Sequence, residues 1–191
     1  MPIDVARVEF DPEDFRLVQQ LLEGTYEFRR SVYRGLNLGS KRARIYASRE
    51  IAASTTLKKR SIDPHIKVIS KVSDQLLVAR LRLRGYPLEL TAFDHRAGKK
   101  GVSYKIWRAK ARERYEHAFK AKLGKHEGIF ERKIESSKYD GRAPLRTKYG
   151  PSVPAIFDNT PGLAKRALEK AVDEAMTEID RQMDLVLKGL L

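Results

Sequence analysis

Glu131 and Lys133 stand two residues apart on a stretch that reads as a strand, with Glu89 and Asp94 upstream. Paired carboxylates with a Glu-x-Lys can hold Mg²⁺ and steady a leaving phosphate, as some metal-dependent nucleases do. The same spacing arises readily by chance in a chain that is 34% charged. A solvated strand face with cross-strand ion pairs uses the same residues. His65, His95, His117 and His126 show neither HExxH nor any paired metal spacing. Gly35-Leu36-Asn37-Leu38-Gly39-Ser40-Lys41 has three residues between its glycines, and its Ser precedes its Lys. A phosphate loop needs four residues there and the opposite order, so a helix break is the better reading. No GxSxG or GxGxxG is present. The expectation is no catalytic residue, no metal and no cofactor.

Charge is the stronger signal. The net charge is +14. Residues 1–30 carry 4 basic and 7 acidic side chains, residues 31–70 carry 9 and 2, residues 71–150 carry 21 and 9, and residues 151–191 carry 5 and 7. A cationic body between mildly acidic ends favours a polyanion or an acidic protein face as neighbour. Arg80, Arg82 and Arg84 form a comb, about 6.7 Å apart on one face if the segment is a strand. They could meet partner carboxylates, solvent or phosphates. Arg96, Lys99 and Lys100, and the stretch from Arg108 to Arg114, are similar surfaces. Trp107 alternates with Tyr104, so one of the two faces outward, and an outward Trp is an interface anchor.

These residues need elements to hold them. Asp11-Pro12-Glu13-Asp14 signals a helix start, and apolar spacing predicts a helix over 12–33. Gly35 and Gly39 weaken its continuity, and a second helix is expected after Ser40, with Ala43, Ala47, Ile51 and Ser54 on a small-residue face. Ser61-Ile62-Asp63-Pro64 opens a third, ending near Ser70. Alternation then predicts a strand over 77–84 with Leu77, Ala79, Leu81 and Leu83 inward. Further strands are expected at 88–93, 102–106, 119–123 and 129–134, with a loop at 95–100 and a hairpin loop at 124–128. Ser136–Arg142 reads as turn.

Gly150, Pro151 and Pro154 make a rigid turn, because proline fixes φ and glycine frees it. Thr160 and Pro161 read as the N-cap and first turn of a helix running to Leu190. That helix would be about 45 Å long, with Ala164, Leu168, Ala171, Ala175, Ile179, Met183, Val186 and Leu190 in one stripe. It exceeds what a small sheet covers, so it packs on another copy or partner, or bends back over its own sheet. The layout is α+β: an N-terminal helical region over 1–70, an antiparallel sheet body over 71–158 and a long C-terminal helix over 159–191, in one structural domain. No run approaches the ~20 apolar residues of a membrane span, and Met1-Pro2-Ile3-Asp4 lacks signal-peptide character. With no cysteine in the chain, a reducing cytoplasm is compatible.

The order of certain pieces resembles the phage minor tail protein Z family, the lambda-type tail-completion proteins. The pieces are Arg34-Gly35-Leu36-Asn37 with Ala43 to Ala53, Leu57-Lys58-Lys59-Arg60, the strand at 79–84, Pro87-Leu88 to Phe93, and Gly101-Val102-Ser103-Tyr104-Lys105-Ile106-Trp107. His117-Ala118-Phe119, Gly128-Ile129-Phe130-Glu131-Arg132, Pro144-Leu145 and Tyr149-Gly150-Pro151-Ser152-Val153-Pro154 follow. The resemblance spans about residues 34–191. It implies a virion protein without catalysis that completes the head-proximal end of the tail and helps join it to the head. It implies a ring of copies around the DNA channel, six fitting the usual symmetry, beside tail-tube, terminator and neck or connector proteins. Genomic DNA would pass through non-specifically, and no membrane would be involved. Residence would be the tail–neck junction, after assembly in the host cytoplasm. A basic DNA-binding module is the alternative, with the nuclease behind it.

Overall fold

The computed structural model describes residues 26–70, 79–132 and 144–188. Helix α1, Tyr26–Ser54, is continuous. The expected break at Gly35 and Gly39 does not occur, and no new helix opens at Ser40. The two glycines instead face the C-terminal helix α4, Leu163–Leu187. A Cβ on Gly35 would come within 2.8 Å of the Ala175 carbonyl oxygen, and one on Gly39 within 2.9 Å of the Ala175 Cβ. Glycine here permits contact rather than ending the helix. Of the helix expected over 12–33, residues 12–25 lie outside the described residues.

The two long helices run antiparallel. Arg34 Nη1 donates to Gln182 Oε1 at 2.8 Å, Arg42 lies 3.8 Å from Glu174, and Arg166 lies 3.4 Å from Glu50. The 25 residues of α4 span about 38 Å. Helix α1 covers this length, where sequence reading expected another chain or the sheet. The buried stripe is Leu163, Ala167, Ala171, Ala175 and Gln182, and Ala164 is exposed. The expected stripe was therefore rotated at its start, because several apolar positions satisfy helical spacing equally.

After α1 come a four-residue helix α2, Lys59–Ile62, and a 3-10 turn, Asp63–His65. Strand β1, Ile66–Ser70, then replaces the helix expected there. Ile66, Val68 and Ile69 are β-branched and stiff at χ1, and β1 pairs antiparallel with β2, Ala79–Leu83. Leu81 and Leu83 are buried as alternation predicts, whereas Leu77 lies outside the described residues. The expected strand at 88–93 is a 3-10 turn, Leu90–Ala92, with one bridge between Glu89 and Tyr149.

The expected loop at 95–100 is largely a strand. β3, Asp94–Gly98, forms a hairpin with β4, Gly101–Lys105, across Lys99-Lys100, and β5, Glu113–Tyr115, pairs with β4. Gly101, just after the turn, adopts φ +103°, and a Cβ there would run into the Tyr115 carbonyl oxygen. A third sheet joins β6, Ala118–Leu123, to β7, His126–Arg132, and β7 to β8, Leu145–Thr147. The expected hairpin loop contracts to Gly124-Lys125, and Ile134 and Ser136–Arg142 lie outside the described residues. The fold is α+β. One apolar cluster unites Ala47 and Ile51 of α1, Leu83 of β2, Val102 of β4, Ile129 of β7 and Leu163 of α4.

Candidate functional site

The side chains able to do chemistry are distributed as structural pairs. Glu131 forms an ion pair with Lys148, and Asp94 one with Arg112. Lys148 Nζ also lies 4.6 Å from the Tyr115 ring centroid, and that ring stacks on Tyr104 at 4.9 Å. The Tyr104 hydroxyl donates to Glu113 Oε2 at 2.6 Å. Burial, then the carboxylate of Glu113, pushes the Tyr104 pKa far above the ordinary phenol range, so the hydroxyl remains a donor. Glu89 lies 3.4 Å from His126 Nε2. Glu89, Asp94 and Glu131 thus have different neighbours, and Lys133 lies outside the described residues. Among the described residues, no group of three or more His, Asp or Glu could hold a metal ion. His65 and His95 hydrogen-bond the carbonyl oxygens of Arg84 and Phe93 at 2.9 and 3.0 Å, while His117 is exposed.

The arginine comb does not present three equivalent cations. Arg80 and Arg82 are half-buried and only Arg84 is exposed. On the paired strand, Ile69 faces Arg80 and Lys67 faces Arg82. Nearby, Lys41, Arg44 and Lys67 line an open groove of about 680 Å³, together with Asp63 and Ile66.

The sheet β3–β5 carries a clearer cationic face. Its register aligns Arg96, Ser103 and Arg114 in one row across three strands. Val102 and Tyr104, of opposite parity, are buried, so the row faces outward, with Arg96 and Arg114 exposed. Lys99 and Lys100 extend it at the exposed hairpin turn. Trp107 is not an outward anchor: it is half-buried against the core, with Lys110 Nζ 6.0 Å from its ring centroid. Arg108 has an internal task. Its Nε donates to the Thr55 carbonyl oxygen at 2.7 Å and its backbone N–H to Ser54 O at 3.0 Å. It thereby supplies charge and donors to the C-terminal end of α1, whose last turn has no basic residue.

The brace is present in altered form. The Gly150 N–H donates to Leu88 O at 2.7 Å, and a Cβ there would come 2.7 Å from the Phe93 ring. Past Pro151, the Ser152 side chain accepts from Ala155 N and caps the short helix α3, Val153–Asp158, with Pro154 buried in its first turn. Thr160 does not cap α4. Its hydroxyl donates back to Ile156 O at 2.8 Å, and Gly162 holds the N-cap of α4. Pro161 is exposed, and its carbonyl oxygen accepts from Arg166 at 2.8 Å. Two features escaped sequence reading: the capping task of Arg108, which no local spacing encodes, and an acidic outer face on α4, which the spacing of Glu169, Asp173, Asp180 and Asp184 does encode.

Comparison of the chain with protein-family models, curated proteins and solved structures found no match. Among the described residues, no helix is long and apolar enough to cross a membrane.

Proposed function

We propose that this chain is a structural protein of a tailed phage or prophage, of the minor tail protein Z type. It would complete the head-proximal end of the tail and help join it to the head or neck, as a ring around the DNA channel. One observation carries the reading. The carboxylates Glu131 and Asp94 are engaged in ion pairs within the fold, whereas Arg96, Lys99, Lys100 and Arg114 are exposed on an outward surface. These carboxylates are matched by cations of the same chain while further cations are offered outward, which suits a protein that works by contact. The α+β fold and the Gly150–Pro154 turn, which sets the start of α3, support it. Light scattering and electron microscopy of the purified chain, alone and mixed with tail tubes, test it. A discrete ring or stable association with tube ends is expected. A monomer that ignores tail tubes overturns it.

The same outward cations favour one rival, a module that binds duplex DNA non-specifically. Such binding would weaken steeply with salt, in proportion to the phosphates neutralised. A steep log–log slope without self-association would favour the rival.

A further inference from the structure

We infer that copies of this chain join head to tail, the outer face of α4 on one copy lying on the outer face of β3–β5 on the next. This rests on the ring reading only in naming a second copy as the partner.

The helix face opposite the buried stripe carries Glu169, Asp173, Asp180 and Asp184, all exposed. At 100° per residue they fall within one band, about half a turn from Ala167, Ala171 and Ala175. Between Glu169 and Leu187 that band holds no lysine or arginine, in a chain whose net charge is +14. Asp180 and Asp184 are like charges one turn apart, an arrangement that disfavours an isolated helix. Among the described residues, no cation forms an ion pair with Asp173, Asp180 or Asp184. Two large apolar side chains lie in the same band, Met176 at 52% and Leu187 at 80% exposure. Four carboxylates around exposed apolar groups make a surface suited to a basic partner.

The basic partner is on the same chain. Arg96 and Arg114 flank Ser103 across the sheet, and Lys99-Lys100 continue the face at the turn. The acidic band from Glu169 to Asp184 covers about 22 Å, long enough to span the cations of β3 and its turn, which run about 13 Å from Arg96 to Lys100. Within one copy the acidic band points away from α1, and apart from Lys165, 3.9 Å from Glu169 on the same helix, its carboxylates meet no cation among the described residues. Two different patches that match each other make a heterologous contact, the kind that closes into a ring. Phosphates could occupy the same cations, but they would leave the acidic band unmatched.

Charge reversal tests the contact. Asp173→Lys/Asp180→Lys/Asp184→Lys, and separately Arg96→Glu/Lys100→Glu/Arg114→Glu, should each weaken self-association by about a hundredfold or more, since like charges then face each other. The two sets combined should restore it to within about tenfold of the native chain. Light scattering reads the mass, and thermal melting checks that each variant folds. The inference fails if either set alone leaves assembly unchanged, or if the folded combined variant stays dissociated. A native chain that binds tail tubes but never self-associates overturns the inference and leaves the proposed function standing. One that does neither overturns both.

Discussion

Gly39 and Ala171 meet in the contact between α1 and α4: a Cβ on Gly39 would run into the Ala171 carbonyl oxygen. The absence of side chains at Gly35 and Gly39 lets the helices approach this closely. That distance decides which face of α4 is covered and which stays outside.

Gly39→Ala should therefore destabilise the fold. Alanine gains about 1 kcal/mol in helix propensity, but overpacking costs about 1–3 kcal/mol, and the obstructing atom is backbone, which cannot swing aside. Denaturant unfolding should show a lower midpoint. Gly98→Ala is the control: its Cβ would meet only the Gly101 carbonyl oxygen, at 3.9 Å. Equal effects at both sites would refute the close-contact account.

Arg108→Met should lower stability by about 1 kcal/mol, because it removes a charged donor from carbonyls at the end of α1. Arg108→Lys should recover part of the loss. An unchanged urea midpoint in Arg108→Met would mean that the side chain does not cap the helix.

Replacing Pro151 and Pro154 by Ala should impair assembly more than it lowers monomer stability, since Gly150 and Ser152 still hold the turn through Leu88 and Ala155. Ser152→Ala should cost about 1 kcal/mol through loss of the α3 cap. Comparing melting temperature with oligomer mass separates the two effects. Normal assembly of the double proline variant would remove the turn from the functional argument.

Asp63 should make stability acid-sensitive. Burial works to raise its pKa, but Lys59, Ser48 and Arg44 outweigh it and hold the carboxyl below its ordinary value. The folded pKa is thus below the unfolded one. The contribution is present above the unfolded pKa and is lost as pH falls through the folded value, which lies below the ordinary carboxylate value. Asp63→Asn should lower stability near neutrality and flatten that part of the acid profile. A parallel profile in the variant would contradict it.

The legibility of the chain varied by element. The alternation in Ala79–Leu83 and in Gly101–Lys105 announced strands, because one face of each is buried. The 3.6-residue spacing announced α4. The segment at 66–70 was misread because Pro64 looked like a helix entry, whereas pairing with β2 decided its state. The hairpin at Asp94–Gly98 was missed because its residues are mostly exposed and carry no burial period. The cations of the outer sheet face were all visible, but their shared row was not: Arg96 and Arg114 meet only through the register of three strands.

The amino-acid sequence alone determined the α+β class, the long C-terminal helix, the cationic body and the rigid turn at Gly150–Pro154. Composition and local periodicity act within a few residues, and these features need no more. Tertiary structure decided that Gly35 and Gly39 join helices rather than end one, that Arg108 caps α1, and that Glu131 pairs with Lys148. Each depends on atoms far apart in the chain, whose meeting is set by burial of one shared core.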